Sequence, residues 1–306
     1  MEPANDGGVN DSQAASASRR GALLVFSGAV CISFSGFFVR DAPMDSSAVA
    51  FYRLFFGGAT LFLIACVQRV RIVPHRQNIG LMLAAAAFFA CDIILWHKSI
   101  LDVGPGIATI LSNFQVIFLA VYSVLFLKEK MGWPQKISIP LALVGLVLLV
   151  GLHQKVIPGN VVSGVATGVL SALFYTGYIL TLRRTQSIPV KLTPVANIAW
   201  VSLFCCGCIA VFCVGTGASL VIPDVRTGLI LVALGVLCQS LGWFLLSLGL
   251  PRLPPFRAGL IMLTQPALAF VWDVIFLGTV TDVVNILGAV LAIGAIGLGL
   301  YAPGKR

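Results

Sequence analysis

Charge is what this sequence has least of. Asp, Glu, Lys and Arg make up only 10% of the 306 residues, against about 25% in a soluble globular domain. With 58% hydrophobic residues and a mean hydropathy of +1.00, too little polar surface remains to clothe a core in water. A soluble domain, a coiled coil and a disordered chain are excluded. Long polar segments are scarce as well, which leaves no room for a catalytic or ligand-binding domain outside a membrane. Walker, HExxH and nucleophile-elbow motifs are missing, so the sequence does not read as an enzyme. Cys205, Cys206 and Cys208 lie close together, but no His stands among them and hydrocarbon surroundings disfavour thiolates. They read as small packing residues, and neither a metal nor a cofactor is expected. The net charge of +9 sits in short basic runs rather than in a stripe interleaved with aromatics, so no nucleic acid partner is expected.

What the sequence does have is apolar runs of membrane-spanning length. Ten are expected: 21–39, 48–68, 79–98, 105–127, 134–151, 161–182, 193–214, 227–248, 256–277 and 283–301. The run from Gly21 to Val39 lacks a convincing cleavage site and reads as a span, not a signal peptide. Residues 1–20 are polar and read as a disordered cytoplasmic tail, with 302–306 as a second, short tail. Placing both termini inside puts fifteen of the 20 Lys and Arg on inner connections. Four, Arg40, Lys98, Lys155 and Arg226, fall outside, and Arg53 falls within the second span. That asymmetry is the positive-inside pattern. The expected fold is therefore an all-alpha polytopic membrane protein with ten transmembrane helices.

Residues 108–148 slide onto 258–298 without a gap. The identities include Ala108/Ala258, Gln115/Gln265, Phe126/Phe276 and Leu141/Leu291. This register lays span four on nine and span five on ten. Five spans per half is an odd number, so the second half must enter the membrane the other way round. Two inverted five-helix repeats are expected, 21–151 and 161–301, joined by an outer linker at 152–160. Inverted repeats permit alternating access around a site near mid-membrane.

Some of these segments carry a family resemblance. Ala108-Thr-Ile-Leu-Ser-Asn-Phe-Gln-Val-Ile-Phe, then Leu125-Phe-Leu-Lys-Glu-Lys130, then the span around Gly145 resemble the EamA domain of the drug/metabolite transporter superfamily. Arg53, in Phe51-Tyr-Arg-Leu-Phe, is similar to the Arg near the start of that family's second helix, and Pro266 to its Pro in the second copy. The sequence departs from the pattern at Val116, where Pro is common, and at Gly278-Thr279, where Gly-Glu is common. The resemblance covers nearly the whole chain as two tandem copies. It implies export or exchange of small polar metabolites, often amino acids, and a place in the bacterial plasma (inner) membrane. Uptake or exchange of organic anions (carboxylates), with or without proton coupling, is the alternative that Arg53 and Lys98 motivate. The expected partners are a small polar organic solute and the lipid bilayer. A monomer is the expected functional unit, with a dimer left open.

Polar groups at bilayer depth mark the candidate site. Arg53 reads either as a snorkelling anchor or as an anion site whose fork suits a carboxylate. Asp92 is too short to snorkel. It is read as a coupling or ion-pair residue facing Arg53 or Lys98, or as helix glue. Trp96, one turn above Asp92, belongs either to the substrate site or to the interfacial aromatic belt. Asn113, Gln115, Gln239, Trp243 and Gln265 are the best candidate lining residues, because neutral amides bind a zwitterion without the desolvation cost of a full charge. Tyr175 and Tyr178 are weaker candidates. Glu129, between Lys128 and Lys130, reads as an inner gate. The expected lining comes from spans one, three, four, six, eight and nine.

Overall fold

Hydrocarbon offers no water to backbone polar groups, so apolar runs of this length must satisfy their own hydrogen bonds as helices. A computed structural model describes residues 6–150, 160–188, 192–277 and 281–301, and every regular element among them is helical. The expected linker, apart from Asn160, lies outside the described residues, as do Gly278-Thr279 and residues 302–306. Among the described residues ten stretches are long and apolar enough to cross a membrane: Ser16–Asp41, Ser46–Val67, Asn78–Val103, Gly106–Leu125, Trp133–Val150, Val161–Thr185, Pro194–Thr216, Val225–Arg252, Pro255–Phe276 and Val283–Leu300. Each falls on one of the ten expected segments.

Several spans are built from more than one helix. Span one combines α1 (Asp6–Ser33) and α2 (Ser35–Asp41). Spans two and three are α3 (Ser46–Val67) and α4 (Arg76–Val103). Span four breaks into α5 (Pro105–Ser112) and α6 (Gln115–Leu125), and span five is α7 (Trp133–Val150). Spans six and seven are α8 (Val161–Thr185) and α9 (Pro194–Thr216). Span eight runs through α10 (Val225–Ala233), a π-helical segment (Leu234–Gly242), α11 (Trp243–Gly249) and a 3-10 turn (Leu250–Arg252). Span nine breaks into α12 (Pro255–Met262) and α13 (Thr264–Leu277), and span ten is α14 (Val283–Tyr301). The helix α1 begins at Asp6, within the segment expected to be a tail. Once the apolar run has nucleated a helix, extension is cheap, and Ala14, Ala15 and Ala17 favour it.

Side-chain caps set several helix starts. Asp45 accepts from the Ser47 backbone N–H at 2.8 Å, Asn160 from Ser163 at 3.1 Å, and Asp224 from Thr227 at 2.7 Å. The bond from the Thr227 backbone holds the Asp224 carboxyl below its ordinary value. A depressed carboxyl gives stability that is present above its unfolded pKa and lost as pH falls through its folded one. Acidification through the carboxylate range should therefore lower the melting temperature of the wild type more than that of Asp224→Asn, which keeps a capping oxygen but does not titrate. Scanning fluorimetry in detergent across pH checks this.

Glycines set how closely the spans approach. A Cβ on Gly145 would lie 2.5 Å from the Ala292 backbone nitrogen, and one on Gly288 would meet the Leu149 nitrogen, so α7 and α14 meet backbone to backbone. Gly164 and Gly168 let α8 sit against side chains of α4 and α5, Val103 and Asp102 at the first and Leu111 and Ser99 at the second. Gly57 and Gly235 bring α3 against the π segment, where a Cβ on Gly57 would stand 2.5 Å from the Gln239 side chain. The main core cluster lies among α1, α3, α4, α8, α9 and α11, and beside it the bundle leaves a polar cavity.

Candidate functional site

The cavity has two lobes that share Ile32, Ser35, Trp96, Ser112, Tyr175 and Gln265. The first lobe, about 190 Å³, is lined by Arg53, Asp92, His97, Phe89 and Trp243 as well, and Val39 and Ser46 edge it at the helix ends. The second, about 250 Å³, adds Ser33, Asn113, Gln115 and Pro266. On α4 the lining residues Phe89, Asp92 and Trp96 recur at three- and four-residue steps, with Ile93 and His97 four residues apart beside them, which places them on one broad helical face. Trp96 lines both lobes.

Asp92 is 9% exposed and accepts a hydrogen bond from the Ser171 hydroxyl at 2.5 Å. That bond ties α4 to α8, and Asp92 also lines the first lobe. Lys98 pairs with Asp102 at 3.2 Å, one turn along the same helix. Among the described residues Asp92 forms no ion pair with either Lys98 or Arg53. A short i,i+4 pair at the helix end orders one flexible side chain over a short reach, whereas Asp92 lies six residues away, off that face.

Arg53 lines the first lobe. Its Nε donates to Gln239 Oε1 at 3.2 Å, and Gln239 Nε2 donates to Ser202 Oγ at 3.0 Å. Three spans thus hold the guanidinium. Neither terminal nitrogen of Arg53 has a hydrogen-bond partner among the described residues, and those two form the edge that grips a carboxylate bidentately. Gln239 is 1% exposed and lies behind Arg53, not in the lining. It is a positioning residue, not a lining one. Gln239→Leu should leave the fold in place and weaken substrate affinity about tenfold, roughly the worth of one hydrogen bond to a charged group. Concentration-dependent uptake should show the loss in KM more than in maximal rate.

The aromatic groups close one side of the cavity. Phe89 stacks on Tyr178 with ring centroids 4.4 Å apart, and Trp243 meets Tyr178 edge-on at 4.7 Å. Tyr175 lines both lobes, whereas Tyr178, 1% exposed, stands behind Phe89 and Trp243 and does not reach them. Asn113 sits at the break between α5 and α6, its amide donating to the Thr109 carbonyl at 2.8 Å. Gln115 opens α6, and Gln265 is the second residue of α13. Both breaks fall at the same register, 150 residues apart, and both face the second lobe. Irregular backbone at this depth is tolerated where it is buried in protein or lines a wet cavity.

Glu129 lies elsewhere, in a separate cavity of about 500 Å³ among Lys128, Lys130, Arg252 and Arg257. Its neighbourhood is more basic than the two flanking lysines alone suggest. Span two contributes Ala50 and Arg53 to the lining beyond the six spans expected. Ser171 was missed by sequence reasoning, although Gly164, Gly168, Ser171, Tyr175 and Tyr178 make a small-and-polar stripe along one face of α8 that could have found it. Ser35 and Ser112 carried no comparable signal. Among the described residues no cluster of His, Cys, Asp and Glu could hold a metal.

A ten-span helical bundle enclosing a polar, partly charged cavity defines a polytopic membrane protein built to pass a small solute. The chain belongs to the EamA-like transporter family, which matches it twice, over residues 19–151 and 162–301. It is 25% identical over 248 residues to "Uncharacterized transporter YdfC" of Bacillus subtilis, covering 81% of this chain and 79% of that protein. It is 22% identical over 284 residues to an "Uncharacterized transporter" of Archaeoglobus fulgidus, covering 91% and 95%. A solved crystal structure matches the fold with a TM-score of 0.78 at 15% identity, over 92% of this chain and 98% of that one. The chain is thus a multi-pass membrane transporter, and its relatives' names point to transport rather than catalysis.

Proposed function

We propose that this transporter moves small zwitterionic metabolites such as amino acids by alternating access, in export or exchange. The observation that carries the reading is the pairing of Arg53 and Asp92 in one lobe walled by Trp96, Trp243, Phe89 and Tyr175. A guanidinium fork suits a carboxylate, a buried carboxylate suits an ammonium, and the rings suit an apolar or aromatic side chain. The neutral amides of Asn113, Gln115 and Gln265 suit the remaining polar atoms. Carboxylate carriage is the second reading. The basic surroundings of Glu129 favour it, because they would attract an anion to that end of the bundle.

Two inverted five-helix halves supply the machinery. Helix pairing supports this. If each span is exchanged for the one five places away, α4 with α8 maps onto span eight with α1, and α3 with the π segment maps onto α9 with α4. The pairs α3 with α9, α7 with α14 and α6 with α12 map onto themselves. A two-fold relation between halves requires that pattern. The breaks at Asn113-Phe114 and at Leu263 correspond in the same way. In this reading the halves are 21–151 and 161–301, both termini are cytoplasmic, and Glu129 belongs to the inner gate. The membrane is the bacterial plasma membrane, and one chain suffices.

Two experiments test these points. Uptake and counterflow in proteoliposomes, over amino acids, carboxylates, cationic amines and nucleosides, should favour zwitterions. A response confined to carboxylates would replace the first reading by the second. Single cysteines introduced at positions 76 and 161 should label from opposite sides of the membrane, and labelling of both from one side would end the topology.

A further inference from the structure

The geometry points to a binding site for one anionic phospholipid in the groove between α6 and α7, apart from the transport cavity. These two helices are neighbours in sequence but are committed to other partners. α6 packs on α12 and α8, and α7 packs on α14. A groove of about 510 Å³ remains between them on the outside of the bundle. Its α6 wall is Ile117, Val121, Val124 and Leu125, and its α7 wall includes Ile139 and Leu143. From Ile117 to Leu125 the wall is about 12 Å long at 1.5 Å per residue, enough for most of an acyl chain.

One residue breaks the apolar lining. Lys136, in the first turns of α7, lines the same groove, and its ammonium is the one charged group there. The connection from α6 to α7 adds Lys128 and Lys130 at that end of the bundle. Pro140 also lines the groove. Having no N–H, it leaves the Lys136 carbonyl without its regular helical donor. The groove therefore offers a cation for a phosphate beside a slot for a chain. A polar head on an apolar tail is the ligand that matches both. Trp133, exposed one turn before Lys136, sits where an aromatic anchor meets the headgroup layer. A second copy of the chain would have to bury Lys136 against an apolar surface, which charge complementarity disfavours.

The test is native mass spectrometry of the full chain with phosphatidylglycerol and phosphatidylcholine of identical chains. Phosphatidylglycerol should be retained about fivefold or more over phosphatidylcholine, the electrostatic worth of one Lys near an anionic headgroup. Lys136→Gln should remove that preference, while Arg71→Gln, on the connection between α3 and α4, should keep it. Val121→Trp should fill the slot and reduce retention of both lipids, and Val124→Trp repeats the test from the same wall if the first variant does not fold. Equal retention of the two lipids by the wild type would overturn the proposal. So would unchanged retention in the folded Trp variants, or a dimer whose formation those variants abolish.

Discussion

Arg53→Gln should lower transport of a zwitterionic amino acid about 10- to 100-fold in proteoliposomes, while the protein still elutes as a folded species. The range follows from losing a charge-assisted contact worth about 1.5–3 kcal/mol. The geometry makes the expectation specific. Gln239 and Ser202 hold the guanidinium on one edge, at 3.2 Å and 3.0 Å along the relay, and the other edge is left for substrate. Asp92→Asn should behave similarly for flux. Its amide oxygen can still accept from Ser171, so the α4–α8 tie survives and folded yield should hold. The double variant should lose less than the product of the single losses, because both groups grip one solute. If Asp92 also carries a proton through the cycle, Asp92→Asn should keep substrate counterflow and lose accumulation driven by a pH gradient. Wild-type flux in the folded Arg53→Gln protein would remove the carboxylate-binding role.

Gly288→Val should abolish most folded protein. A Cβ at this position meets the Leu149 nitrogen and stands 2.7 Å from the Gly145 carbonyl oxygen. Both are backbone atoms, so no rotamer change relieves the contact and α7 must separate from α14. A loss on the order of 4 kcal/mol is the scale for such a core clash, and fluorescence-detected gel filtration should show aggregate where the wild type gives a single peak. Gly294→Val is the matched control, since nothing lies within 4 Å of its Cβ.

The ten spans were legible because lipid leaves a long apolar run little choice but a helix. Side-chain direction was less legible. Gln239 and Trp243 stand four residues apart, a spacing that would put both on one face of an α-helix. The segment Leu234–Gly242 is π-helical, and its wider turn carries Gln239 away from the lining towards Arg53 while Trp243 stays in it. The partner of Lys98 was present in the sequence as Asp102 at i+4, and the local pair forms in place of the longer reach to Asp92. The break at Asn113-Phe114 contains neither Gly nor Pro and left no mark in composition, whereas Pro266, in the first turn of α13, has no N–H to offer the Met262 carbonyl across the break at Leu263. Gln115 and Gln265 were nevertheless found, because their shared register and their polarity inside an apolar segment needed no knowledge of the backbone.

The aromatic layer of Phe89, Tyr178 and Trp243 on one side of the cavity has an electrical consequence. If water in the membrane fills the two lobes from one side, it carries that side's potential towards this layer. The transmembrane voltage is then concentrated across the side chains beyond it rather than spread over the whole bilayer. A unit charge passing this septum does about 2.3 kcal/mol of work per 100 mV, while a zwitterion passes with none. Liposomes clamped by a potassium diffusion potential therefore distinguish the two cargoes. A monocarboxylate should accumulate on the positive side, and a neutral amino acid should distribute without regard to voltage.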